Sequence, residues 1–168
     1  FSLLAPLRKF ITDAPPRATP NRVSNPIAKE ILIKAPFKKI YDIIADAQNK
    51  LKLGAKQVIM DDACVPRLGS KHTCVLPTGV LKFETIENKV ADDELEFAEK
   101  VENLPVLGTA NFVYLLTREN SNTIKLTLEL HHEPSGFWSN VKYTMALLPM
   151  TFMMNKMLCS IQNVAEAS

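Results

Sequence analysis

The last quarter of the chain constrains the fold more than any other stretch. Residues 137 to about 165 read as one long helix with Pro149 in its interior. Its middle, Met145-Ala146-Leu147-Leu148-Pro149-Met150-Thr151-Phe152-Met153-Met154, is apolar almost all round, and a helix of that kind is buried on more than one side. Met145, Met150, Met153, Met154 and Met157 all lie in it, and methionine is the side chain that best fills or lines an irregular space. At the usual rise per residue the helix is roughly 40 Å long, so it needs a large surface to lie against.

The preceding residues supply that surface. From Lys56 to His132 the apolar residues recur with period two instead of 3.6. Strand segments at 57–60, 70–76, 80–86, 94–101, 109–117 and 123–132 are separated by turn residues such as Asp61-Asp62, Pro77-Thr78-Gly79, Ala91-Asp92-Asp93 and Glu119-Asn120-Ser121-Asn122. An earlier strand, 29–35, precedes Pro36, which a helix tolerates in its first turn. In the helix that follows, 37–49, Phe37, Ile40, Tyr41 and Ile44 share one face, and Gly54 lies beyond its end. In 123–132, Ile124, Leu126, Leu128, Leu130 and His132 face one way and Lys125, Thr127, Glu129 and His131 the other. One face is covered and one is wet. The expected class is α+β: a curved antiparallel sheet of about seven strands wrapped around the long C-terminal α-helix.

The N-terminal end reads differently. Leu3, Leu4, Leu7 and Ile11 form a short amphipathic segment, and 13–26 holds Pro15, Pro16, Pro20 and Pro26 without periodicity, as a linker does. The expected division is 1–27, segment and linker, and 28–168, the folded domain. The chain opens at Phe1 instead of Met, which leaves room for residues upstream. The excess positive charge lies in the first part, where Arg8, Lys9, Arg17 and Arg22 stand against Asp13. The body is therefore close to neutral, too neutral for a nucleic-acid partner. The C-terminal apolar run is broken by Pro149, Asn155 and Lys156, so stable membrane insertion is not expected. The opening apolar residues are followed, not preceded, by basic ones, unlike a signal peptide. Cys64, Cys74 and Cys159 lack metal-ligand or C-x-x-C spacing, which fits buried thiols in a cytoplasmic protein.

The wording of several segments resembles a known family. Glu30-Ile31-Leu32-Ile33-Lys34-Ala35-Pro36-Phe37-Lys38-Lys39-Ile40-Tyr41-Asp42-Ile43-Ile44 looks like the opening strand, Ala-Pro and helix of the START-like, or polyketide cyclase-like, helix-grip superfamily. Leu68-Gly69-Ser70-Lys71-His72-Thr73-Cys74 looks like its Gly-Ser/Thr strand start, and Asn122-Thr123-Ile124-Lys125-Leu126-Thr127-Leu128 like its final strand. The resemblance covers about 28–165 and points to a bacterial member. The basic, proline-rich segment is similar to the link in some bacterial proteins where such a module follows a nucleotide-cyclase-like domain. These motifs specify fold far better than chemistry, because the superfamily hosts carriers, cyclases, hydrolases and interaction modules.

The resemblance implies a cavity between the sheet and the long helix. Met145, Leu148, Phe152 and Met153 are its expected roof, and Phe83, Phe97, Phe112, Tyr114, Leu126, Leu128 and Leu130 its walls. His72 and Cys74 share one strand face, as nucleophile and base would, but no third group orients them, so they are read as lining. His132 continues the apolar face and is placed at the cavity end, while His131 and His132 project oppositely and do not chelate together. Glu99, in phase with Leu95 and Phe97, is the one carboxylate placed for acid/base work. No cofactor or metal is expected, since the glycines spell no nucleotide loop. The functional expectation is binding of a small or elongated hydrophobic, lipid- or polyketide-like ligand without catalysis. Two alternatives stand beside it. One is a cyclase- or hydrolase-type enzyme using His72, His132 or Tyr114; the other is a regulatory module whose partner is an upstream domain or a second copy.

Overall fold

Alternation of side chains decides the sheet, and the sheet decides where everything else packs. The computed structural model describes residues 23, 26–61, 67–132 and 136–167. In chain order it comprises β1 (Ile27–Ile33), α1 (Phe37–Ala45), a 3-10 turn (Ala47–Leu51), β2 (Gln57–Met60), β3 (Lys71–Leu76), β4 (Gly79–Val90), β5 (Glu94–Leu104), β6 (Gly108–Asn120), β7 (Thr123–His131) and α2 (Phe137–Glu166). The amphipathic segment and linker expected at the N-terminus lie largely outside the described residues, and β1 starts one residue ahead of the expected domain boundary.

The seven strands form one antiparallel sheet in the order β1-β7-β6-β5-β4-β3-β2. From β2 to β7 each strand pairs with the next, and β1 then closes on β7, with Ile33 opposite Ile124 and Ile27 opposite Leu130. Register shifts at Thr85/Glu87, Glu102/Leu104 and Arg118/Asn120 break the ladder regularity. Each such irregularity bends a strand and sharpens its twist, which lets a long sheet curve around a helix. This is the helix-grip fold that the pattern of periods predicts.

The concave face holds the core. Leu95, Phe97 and Val101 on β5, Phe112, Tyr114 and Leu116 on β6, and Ile124, Leu126, Leu128 and Leu130 on β7 are all buried. Ile40, Ile43 and Ile44 of α1 join them. α2 packs chiefly over β1 and α1 and reaches β7. Its C-terminal end is tied down by three bonds. The Lys34 backbone N–H donates to the Glu166 carboxylate (2.8 Å), Lys39 Nζ to the Ala167 carbonyl (2.6 Å) and Gln162 Nε2 to the Leu32 carbonyl (3.1 Å).

The face that α2 presents to the sheet is the reverse of the expected one. Ala146, Met150, Met154, Leu158, Ile161 and Ala165, spaced by three and four, point inward. Met145, Leu148 and Phe152 are 71%, 83% and 72% exposed and form no roof. Met153 lies between the two faces, partly buried against the core. An apolar-all-round segment carries almost no amphipathic signal, so hydrophobicity alone could not orient it. The polar residues do: Lys142, Lys156 and Asn163 fall in one column, all exposed, and mark the solvent side.

Candidate functional site

Toward the β2 end of the sheet, the concave face ceases to be apolar. Asp46 ends α1 in an extended conformation, and its side chain accepts the Gln48 N–H (2.9 Å), starting the 3-10 turn. That turn has three residues per revolution, so Ala47 and Lys50 lie on one face, and both are buried. Lys50 Nζ reaches Glu99 Oε2 on β5 at 2.7 Å. It also lies 5.2 Å from the centre of the Phe83 ring and 5.6 Å from that of Tyr114, so the ammonium is held by a carboxylate and two aromatic faces.

Cross-strand pairing gathers the remaining members. His72 on β3 is opposite Phe83 on β4, and their rings stack at 4.8 Å with 4° between planes. Cys74 follows two residues on, on the same face, and is also buried. His72 Nε2 stands 3.9 Å from Glu99 Oε1, beyond hydrogen-bond reach, and has no hydrogen-bond partner. The Tyr114 hydroxyl lies 3.8 Å from Met157 Sδ of α2, so the cluster spans the space from sheet to helix.

Burial and charge act against each other in this cluster. Burial alone would push Lys50 toward its neutral form, but Glu99, with smaller contributions from Tyr114 and Cys74, more than offsets it and raises the pKa. Lys50 is therefore an ammonium and not a nucleophilic amine. Burial lowers the pKa of His72, which Glu99 opposes and Lys50 reinforces, so the imidazole is neutral at pH 7. Burial pushes the Cys74 thiol up to about 11 and the Tyr114 phenol to about 12, despite Lys50. Neither is a ready anion. The arrangement offers one fixed cation, its carboxylate and one neutral imidazole with a free nitrogen, all facing an apolar interior.

Most of the expected lining residues come together here. His72, Cys74, Phe83, Tyr114 and Phe97 surround or adjoin the polar cluster, and Phe112, Leu126, Leu128 and Leu130 continue the same face into the core. Met145, Leu148 and Phe152 do not belong to it. His132 stands at the sheet's end, where its Nδ1–H donates to the Thr109 carbonyl (2.9 Å) and its ring stacks on Tyr143 of α2 at 5.6 Å. His131, expected on the wet face, is buried instead. Its Nδ1 accepts the Val23 N–H (3.1 Å), so Nε2 carries the proton shared with Glu129 (2.7 Å). Sequence reasoning passed over Lys50, because it read one helix through Asn49. The Asp46 cap was the available signal for a fresh turn there.

An open groove of about 340 Å³ lies at β3, β4 and β5 and borders the cluster, since His72 and Phe83 contribute to its lining. The rest of the lining is mostly charged: Lys71, Lys82, Lys100, Glu84 and Glu102 stand in cross-strand pairs of opposite sign. Such alternation is what a solvated sheet face needs.

No family model matches this sequence, and no curated protein does. Solved structures share the fold. The hypothetical protein jhp0584 from Helicobacter pylori superposes with a TM-score of 0.68 over 99% of both chains at 14% identity. A truncated norcoclaurine synthase from Thalictrum flavum gives 0.60 at 15% identity, covering 88% of this chain and 99% of that one. The di-domain ARO/CYC BexL from the BE-7585A biosynthetic pathway gives 0.60 at 14% identity, covering 86% of this chain and 50% of that one. At such identities the likeness is one of fold.

Proposed function

We propose that this domain binds a small, largely apolar molecule carrying one polar group, held between the sheet and α2. Lys50, Glu99 and His72 receive the polar group, and the aromatic and leucine side chains of the concave face receive the rest. The observation that carries this reading is the buried Lys50–Glu99 pair beside a His72 nitrogen that lacks a partner. An ion pair in a protein interior is no more stabilising than well-packed apolar side chains of the same volume. An unpartnered buried nitrogen is an outright cost. A domain that needed only a core would do better without either. An apolar site with a few convergent polar groups is, in general, a ligand site, and Met150, Met154 and Met157 give the helix side of this one an adaptable surface. The fold's occurrence in a synthase and an ARO/CYC protein accords with that use.

Catalysis is the second reading, and the same cluster favours it. Glu99 and His72 bracket a position where a ligand proton could be taken or returned, with the Lys50 ammonium close enough to stabilise developing negative charge.

The test is native mass spectrometry of the protein purified from its own host. A copurifying small molecule is expected. In Lys50→Met/Glu99→Leu, which removes both charges, unfolding free energy stays within about 1–2 kcal/mol of wild type, yet the molecule is lost. Lys50→Met alone strands the carboxylate and costs about 3–5 kcal/mol. Retention of the molecule by the folded double variant would sink the assignment of the polar anchor. Conversion of the molecule by wild type but not by Glu99→Gln would select the catalytic reading.

A further inference from the structure

The outward face of α2 carries Phe137, Trp138, Met145, Leu148 and Phe152, each between 71% and 83% exposed. Scattered apolar residues on a surface are ordinary, but a contiguous row of large ones marks an interaction site. Met145, Leu148 and Phe152, spaced by three and four, form one continuous row, and Trp138 lies seven residues before Met145 on the same side, with the exposed Lys142 between them. The helix is fixed beneath it by its buried face and by its tied C-terminal end. Polar side chains near the stripe turn back on the helix's own carbonyls. Asn140 Nδ2 donates to Gly136 (3.0 Å) and Thr144 Oγ1 to Asn140 (3.0 Å), so the charged groups beside the apolar row are Lys142 and Lys156.

Charge selects among occupants. α2 carries Lys142 and Lys156 and a single carboxylate, Glu166, at its last residue. A second copy laid parallel along the stripe brings each lysine against itself, and one laid antiparallel about Met145 brings Lys142 against the apolar residues near Leu148. Neither arrangement pairs a lysine with Glu166, which lies beyond the stripe and accepts the Lys34 N–H. Residues 1–22 are basic in sequence as well, with Arg8, Lys9, Arg17 and Arg22 against Asp13. An anionic lipid surface reverses the sign for all of these groups. It also accepts tryptophan, phenylalanine and leucine at the boundary between headgroup and acyl chain.

We propose that the outward face of α2 docks on an anionic phospholipid surface. The helix lies in the plane of the interface, with Trp138, Met145, Leu148 and Phe152 entering the acyl boundary and Lys142 and Lys156 at headgroup level. This is surface binding: no helix among the described residues is long and apolar enough to cross a membrane. The inference stands independently of the interior ligand.

Trp138 is the chain's single tryptophan, so its fluorescence reports on the stripe alone. The full chain is mixed with phosphatidylcholine vesicles made with or without phosphatidylserine. Sedimentation with the phosphatidylserine vesicles is expected, with a blue shift of Trp138 emission and quenching by brominated acyl chains. Leu148→Glu and Phe152→Glu each weaken binding about tenfold or more, with the unfolding midpoint unchanged. Lys142→Ala and Lys156→Ala each weaken it about fivefold, as does added salt in the same direction. Absence of vesicle binding, binding without quenching of Trp138, or indifference to Leu148→Glu overturns the proposal. So does a Trp138 emission already that of a buried indole without vesicles. In a dimer that result assigns the stripe to a second copy, and in a monomer to other residues of this chain.

Discussion

His72 is the residue where burial, stacking and charge can be separated experimentally. Its ring is stacked on Phe83 and faces Glu99 without reaching it. Burial lowers its pKa below the usual histidine value. A histidine held neutral in the fold contributes stability that is fully present above its unfolded pKa, about 6.5, and is lost as pH falls below that toward the folded value. Wild type should therefore lose more unfolding free energy than His72→Gln between about pH 7 and pH 5, as urea denaturation at each pH would read. Equal losses would mean that the ring takes its proton as readily in the fold as in the unfolded chain, and a smaller loss in wild type that Glu99 serves it as counter-ion. Lys50 behaves oppositely. Its folded pKa is raised, so the stability its charge contributes persists through neutral pH and is lost as pH rises through the folded value. At this scale the sequence was half legible. Glu99 announced itself by sharing the phase of Leu95 and Phe97, and His72 and Cys74 by alternation. Lys50 did not, because its burial depends on a local change from α to 3-10 winding after Asp46.

The elements themselves were legible wherever one face is wet. β7 reads directly, since Ile124, Leu126, Leu128 and Leu130 alternate with residues that are only partly buried. α2 was legible as an element but not as an orientation. Five methionines and five leucine or phenylalanine side chains on all sides leave the buried stripe to be chosen by packing. The structure chooses Met154 and Leu158 as inward and Leu148 as outward. Met154→Ala should thus cost about 2–5 kcal/mol, whereas Leu148→Ala should change stability by no more than about 0.5 kcal/mol. Equal costs in chemical denaturation would show that the helix is covered on both sides in solution. The β5–β6 connection is a second place where local wording misleads, since Val106 takes φ 70° beside Asn103 at φ 67°. A β-branched side chain in that region is strained, and it is held there by the hairpin that Leu104 and Gly108 close.

For the whole molecule, the strand order flanks β5, β6 and β7 with a strand on each side and leaves β2 at one edge. β2 is four residues long and pairs on one side alone, whereas the central strands are flanked on both and carry most of the core. Amide hydrogen exchange should consequently be slowest at Val113, Tyr114, Leu126 and Leu128 and fast in Gln57–Met60, with the β2–β3 side opening before global unfolding. Uniform protection would contradict that hierarchy. A β2–β3 side of lower local stability would also be where the buried cluster of Lys50, His72 and Glu99 is reached from solvent.

The sequence by itself determined the class of fold, because period two, period 3.6 and turn residues are local properties that each segment carries wherever it lies. It determined the sheet's inner face for the same reason. Only the tertiary structure decided which side of α2 meets that face, and that Lys50 and Glu99, 49 positions apart, share a bond. It also put His131 under Val23, 108 positions away. These are questions of which surfaces meet, and an apolar-all-round helix or a lysine in a short turn states no preference until a partner surface is present. The long terminal helix was recognisable from its residues alone, but its two faces acquired their separate roles only when the sheet covered one of them.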